Sequence, residues 1–164
     1  MKAIFHADKK WGIGKKNDLM FSLPKDMKFF RETTKGKIVV MGYNTLRSFP
    51  EGKPLKNRTN IVLCPEDAEG VITVHDLPEL LEEVKKYPAD DVFVIGGASV
   101  YRLLLPYCTE ALVTKVDADG GADVFVPDLD ADERFELAAE SDPQEDNGYT
   151  IRFCTYRNRA PLAY

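Results

Sequence analysis

The stretch D-V-F-V-I-G-G-A-S-V-Y-R-L-L-L, residues 91–105, decides the fold class. Val92, Phe93, Val94 and Ile95 are β-branched or aromatic and show no polar alternation. That is the pattern of a strand buried on both faces. Gly96-Gly97 halts the run, and residues 98–105 bring apolar side chains back at helical spacing. A buried strand turning straight into a helix belongs to an α/β sheet with parallel pairs.

The same unit recurs outward from this stretch. Residues 4–7 read as a short strand, followed by a glycine-broken loop and a helix over residues 24–33. Residues 37–41 form a compact apolar run, and Gly42 opens a short helix reaching residue 49. Residues 59–64 make a strand stopped by Pro65, and residues 71–74 make another. Asp76 caps a helix over residues 77–86, with Leu77, Leu80, Leu81 and Val84 inward. Residues 111–116 form a further strand. Residues 135–140 and 149–156 read as an antiparallel hairpin around a turn rich in Asp, Pro, Asn and Gly. No repeat or linker interrupts the chain, so one domain over residues 1–164 is expected.

Composition narrows the function. The 164 residues carry 22 basic and 27 acidic side chains, a formal net charge of −5. That balance argues against nucleic-acid binding, which needs a basic face. No apolar run approaches a membrane span, and the N-terminus has no leader pattern. Cys64, Cys108 and Cys154 are odd in number and lack metal-ligand spacing, as expected of free thiols in a reducing cytoplasm. A monomer is the default at this length.

Residues 11–30, W-G-I-G-K-K-N-D-L-M-F-S-L-P-K-D-M-K-F-F, carry the chemistry. Leu23, Asp26, Met27 and Phe30 share a helical face. An acid among apolar neighbours resists ionisation and can hold a proton, which makes Asp26 a candidate proton handler. A second reading stands beside it: with Pro24 at the first helical position, Asp26 lies in the first turn, where a negative charge favours the helix dipole.

Two strand ends offer phosphate sites. Gly96-Gly97-Ala98-Ser99-Val100-Tyr101 and Gly42-Tyr43-Asn44-Thr45 each let the backbone approach a ligand closely at a helix start, outside the carboxyl ends of strands. Each also reads as a plain structural joint. Lys56-Asn57-Arg58 is either a solvated basic turn or a carboxylate clamp. The acidic run over residues 117–123 lacks the ligand pattern of a calcium loop, and no metal site is expected. His6 and His75 are the only histidines, and neither has an evident nucleophile partner.

In combination the motifs resemble dihydrofolate reductase. They are G-I-G-x-x-N at residues 12–17, L-P-x-D at 23–26, V-V-M-G-x-N-T at 39–45, P-L-x-N-R at 54–58 and I-G-G-A-S-V-Y at 95–101, with Thr114 and Asp123. The resemblance covers nearly the whole chain. It implies an eight-stranded, mostly parallel sheet flanked by four helices, and hydride transfer from NADPH to dihydrofolate. It makes Asp26 the active-site acid, which binds the pterin and promotes protonation of N5, with Thr114 in support. Ile4, His6, Met27, Phe30 and Leu55 would line the substrate pocket, and Arg58 would bind the glutamate carboxylate. The cofactor would lie along Ala7, Ile13, Gly14, Gly42, Tyr43, Asn44 and Thr45, then Leu63 and Cys64, then Ile95, Gly96, Gly97, Ala98, Ser99, Val100 and Tyr101. Asp123 would anchor a mobile loop over residues 9–21. Antifolates such as methotrexate or trimethoprim are the expected inhibitors. Two other readings share the fold: a pyrimidine reductase of the riboflavin pathway, and a non-catalytic pterin- or nucleotide-binding relative.

Three departures stand out. Met20-Phe21 replaces a common Pro-Trp, which removes an indole N–H near the substrate. His6 replaces a usual alanine and faces the same way as Ile4, where it can crowd the pterin or pair with Asp26. Basic residues usual around the adenosine 2′-phosphate give way to Tyr43, Cys64-Pro65-Glu66-Asp67 and Ser99, with His75 the one nearby cation. A reduced preference for NADPH over NADH is expected, because Glu66 and Asp67 repel a phosphate.

Overall fold

A computed structural model describes residues 1–164. Its elements follow in chain order: β1 (Lys2–Ala7), β2 (Gly12–Gly14), α1 (Pro24–Thr34), β3 (Ile38–Gly42), α2 (Tyr43–Ser48), β4 (Thr59–Leu63), β5 (Ile72–Val74) and α3 (Leu77–Val84). There follow β6 (Val92–Gly96), α4 (Ala98–Leu104), β7 (Glu110–Val116), β8 (Val124–Phe125), β9 (Phe135–Glu140), β10 (Gln144–Asp146) and β11 (Tyr149–Asn158).

The main sheet runs β10-β11-β7-β1-β6-β3-β4-β5, with β9 also paired to β11. All pairs from β7 to β5 are parallel, and β11 joins β7 antiparallel. β9 and β10 occupy different parts of one edge of β11, so the nine strands fill eight positions. This is the expected eight-stranded architecture with four α-helices and a C-terminal antiparallel pair. The hairpin differs in one respect: its connection contains β10, which pairs as Gln144↔Ile151 and Asp146↔Tyr149. The loop at residues 11–14 also differs from expectation, because β2 pairs with β8 in a small separate sheet.

The parallel strands are apolar on both faces, and alternate residues divide between two cores. Ile38 and Val40 join one cluster with α3 and α4, while Val39 and Met41 join another with Leu46 of α2. Period-two alternation puts those clusters on opposite faces of β3.

Strand order reverses between β1 and β6, and there the sheet opens. β1 pairs with β7 over six residues but with β6 only at Lys2↔Phe93 and Ala3↔Val94. Beyond Ala3 the two strands part. The Ile4 carbonyl, released from the ladder, accepts instead from the Tyr101 hydroxyl at 2.8 Å. A crevice between parallel strands at their carboxyl ends is where open α/β sheets bind ligands. No helix is long and apolar enough to cross a membrane.

Candidate active site

A cavity of about 410 Å³ occupies this crevice, walled by β1, α1, the residue 13–19 loop and the Gly96-Gly97 turn. Ile4, His6, Met27, Phe30 and Leu55 line it, as do Ile13, Gly14, Thr45, Ile95, Gly96, Gly97, Ala98 and Tyr101. Met27 is 41% exposed. The face read from sequence as inward is therefore a cavity wall, not core, and only Leu23 of its apolar members is fully buried.

Asp26 stands at the floor, 9% exposed. The Thr114 hydroxyl donates to its Oδ1 at 2.7 Å, and His6 Nδ1 lies 3.2 Å from its Oδ2. The capping role belongs to a different acid. Asp146 of β10, 2% exposed, accepts from the backbone N–H groups of Lys25 (3.1 Å) and Asp26 (3.2 Å). Leu23 at the N-cap offers no side-chain oxygen. Asp146 satisfies the orphan donors of α1 and sits on its positive end, which leaves the Asp26 side chain to the cavity. Nothing in the sequence flags Asp146, because it lies 120 residues from its partner.

At the Gly96-Gly97 turn the peptide bond is cis and Gly96 has φ +131°. At that φ an L side chain is strained, and a Cβ at Gly96 would press on Thr45 Oγ1 at 3.2 Å, so the position favours glycine. Burial pushes the Tyr101 phenol far above its ordinary range, so the hydroxyl remains a donor.

Arg58 lies at the rim. Its Nε donates to the Thr34 hydroxyl at 2.8 Å and its Nη1 to the Lys56 carbonyl at 2.8 Å, with the guanidinium 5.8 Å from the Phe30 ring centroid. Burial first, then the charge of Arg31, lowers its pKa, and a guanidinium nevertheless stays charged. These contacts fix it beside the cavity and favour the clamp over a solvated turn.

Carboxylates hold the loop over the cavity at its start and near its tip. Asp8 accepts from the N–H groups of Lys10, Gly12 and Gly120. Near the tip, Asp123 accepts from Lys16 N–H at 2.9 Å while its own N–H donates to Gly14 O at 3.0 Å. The Asn17 amide reaches across to Asn44 O at 3.2 Å. Asp123 thus holds the loop as the resemblance implied, Asn17 is the asparagine of the 12–17 motif, and Asp8 is an addition.

A second cavity, about 810 Å³, lies along α2 and the segment after β4. Tyr43 and Cys64 line it, with Glu66, Asp67 and Glu69. Its basic residues are Arg47 and Lys53, which the motifs did not single out. His75 does not line it; its ring is held by Asp67 at 2.9 Å and Glu79 at 3.1 Å. Gly42, Asn44, Leu63 and Ser99 line neither cavity. Ala7 and Val100 lie in the core, so any ligand contact from them is through backbone.

The whole-chain comparison decides the family. The dihydrofolate reductase family model matches residues 1–158. The chain belongs to the dihydrofolate reductase family. The Bacillus subtilis dihydrofolate reductase is 33% identical over 160 residues, 95% of this chain and 93% of that one. The Enterococcus faecium dihydrofolate reductase is 36% identical, covering 92% of each chain. The solved dihydrofolate reductase of Enterococcus faecalis, complexed with NADP(H) and RAB-propyl, superposes with a TM-score of 0.82 at 35% identity, covering 96% and 95% of the two chains. The activity is that of the family: reduction of 7,8-dihydrofolate to 5,6,7,8-tetrahydrofolate with hydride from NADPH. The family binds dihydrofolate and antifolates. The pyrimidine-reductase and non-catalytic readings fall away with this match.

Proposed function

We propose that residues 1–164 work as a single folded unit in which Asp26 is the acid that binds the pterin and promotes protonation of N5. One observation carries the reading: a buried carboxylate freed from helix capping faces a largely apolar cavity. Reduction of the C=N bond adds hydride at carbon and a proton at nitrogen. Asp26 accepts from the pterin's exocyclic amino group and ring N–H. It stabilises the positive charge that grows on the ring as N5 takes its proton. Thr114 and His6 hold the carboxylate from below. Ile4, Met27, Phe30 and Leu55 wall the rings, and Arg58 pairs with the glutamate carboxylate at the rim.

The cleft fits NADPH. The glycine cradle at Gly96 and Gly97, which a Cβ would fill, admits a flat ring beside Thr45 and Tyr101. Ile13, Gly14, Ile95 and Ala98 complete that end, and Gly42, Tyr43, Asn44, Leu63, Cys64 and Ser99 lie along the path to the second cavity. The bound cofactor supplies the hydride. The chain's own residues align the reacting faces, and the loop held by Asp123 excludes water. The inhibitors expected to compete at Asp26 include methotrexate and trimethoprim. The protein acts as a cytoplasmic monomer.

The test follows the loss of NADPH absorbance with and without dihydrofolate, then with methotrexate. Dihydrofolate-dependent, methotrexate-sensitive turnover supports the reading. Methotrexate binding without turnover would sink it.

A further inference from the structure

The His6 side chain sits where the cavity floor meets the apolar cluster of Phe21, Leu23, Val116 and Ile151. It is 7% exposed, and its ring centroid lies 5.9 Å from that of Phe21. Nδ1 has one partner, Asp26 Oδ2. Nε2 is buried and has none; it is the one buried side-chain polar atom of the protein without a hydrogen bond. His6 on β1 and Thr114 on β7 are register partners. Neighbouring strands therefore present one group to each oxygen of the same carboxylate.

We infer that His6 is a positioning residue for Asp26, acting as the Nδ1–H tautomer. The inference rests on the proposed role of Asp26 and adds what holds that group in place. Two features select the tautomer. A bare Nδ1 would set a lone pair against the Asp26 carboxylate, acceptor against acceptor. A protonated Nε2 would bury a donor with no acceptor, which is costlier than an acceptor left bare. With Nδ1–H on Oδ2 and the Thr114 hydroxyl on Oδ1, the carboxylate can neither rotate nor turn away. Each oxygen keeps a lone pair for the cavity. That arrangement suits a planar ligand with two parallel N–H donors, the edge of a 2-aminopyrimidine ring.

Two measurements test this on the full chain with NADPH present. The first is the long-range proton–nitrogen spectrum of the two histidines, assigned by comparison with His75→Ala. The expected His6 pattern is Nδ1 protonated and Nε2 bare; an Nε2–H pattern overturns the proposal. The second compares His6→Asn, His6→Gln, His6→Leu and His6→Ala. The Asn amide nitrogen overlays Nδ1, the Gln amide overlays Nε2, and Leu keeps volume without a donor. Ala, Leu and Gln should raise KM for dihydrofolate about 10-fold or more and leave KM for NADPH unchanged, while Asn recovers most of the loss. A merely structural role would lower the active fraction and the apparent kcat without moving KM. Asn as impaired as Ala, or Gln or Leu as good as Asn, overturns the proposal. If wild type turns over dihydrofolate and Asp26→Asn does not, yet the His6 variants match wild type, this inference fails alone. If wild type shows no turnover, the function reading fails instead.

Discussion

Two carboxylates meet at the start of α1, and their partners divide the labour. Asp146 accepts from the backbone of Lys25 and Asp26. Replacing it by Ala strands buried N–H groups and removes the charge at the helix end. The expected cost is about 1–3 kcal/mol, read as a lower denaturant midpoint at unchanged slope. Arg58 presents charge at the rim with its guanidinium over the Phe30 ring. Arg58→Leu should raise KM for dihydrofolate by roughly 10–100-fold, with kcat within about threefold, since the contact is equal in ground and transition states. An unchanged KM would remove Arg58 from the substrate site. His75 is exposed between Glu79 and Asp67, and its bonds to them raise its pKa above the ordinary 6.5. A raised folded pKa means the pair's contribution is complete below the unfolded value and is lost as the pH rises through the folded midpoint. Proton NMR titration should place that midpoint above 6.5, moving down in Glu79→Gln.

At the scale of elements, the closing loop is a short antiparallel pair, β2 on β8, clamped by Asp8 and Asp123. Gly12 lies against Ala122 so closely that a Cβ would collide with it. Gly12→Val should therefore unseat the loop and admit water. The expected result is kcat/KM lower by at least about 10-fold, with thermal stability less affected. The long parallel strands were legible because burial on both faces writes β-branched runs such as residues 92–95. β2, β8 and β10 were not, because Gly-Ile-Gly, Val-Phe and Gln-Glu-Asp lack the β-branched run that marks even the three-residue β5. Asp26 was legible as an acid among apolar neighbours, but that the backbone N–H groups at the start of α1 are taken by another acid was not, because Asp146 is a partner distant in sequence. Met27 shows the limit of helical spacing, since a cavity wall and a core face carry the same side chains.

At the scale of the molecule, one crevice at the reversal of strand order gathers residues from β1, α1, β6 and the loops. A separate second cavity lies along α2. That second cavity sets Arg47 and Lys53 beside Glu66, Asp67 and Glu69. Arg47 leans over the Tyr43 ring, and Lys53 pairs with Glu51. A doubly charged 2′-phosphate gains little in such company. The kcat/KM ratio for NADPH over NADH should stay below about a hundredfold, or ~2.7 kcal/mol, and Glu66→Lys should raise it. A larger wild-type ratio would show that Arg47 and Lys53 dominate.

The role of Asp26 is measured by the steady-state rate of Asp26→Asn with saturating NADPH, alongside the cofactor's dissociation constant. Asn keeps the shape and loses the charge. With Asp26 as the acid of the site, kcat with dihydrofolate should be at least about a hundredfold lower while NADPH affinity stays within about threefold. A variant that keeps kcat within about threefold of wild type would contradict the assignment of Asp26 as the acid of the site.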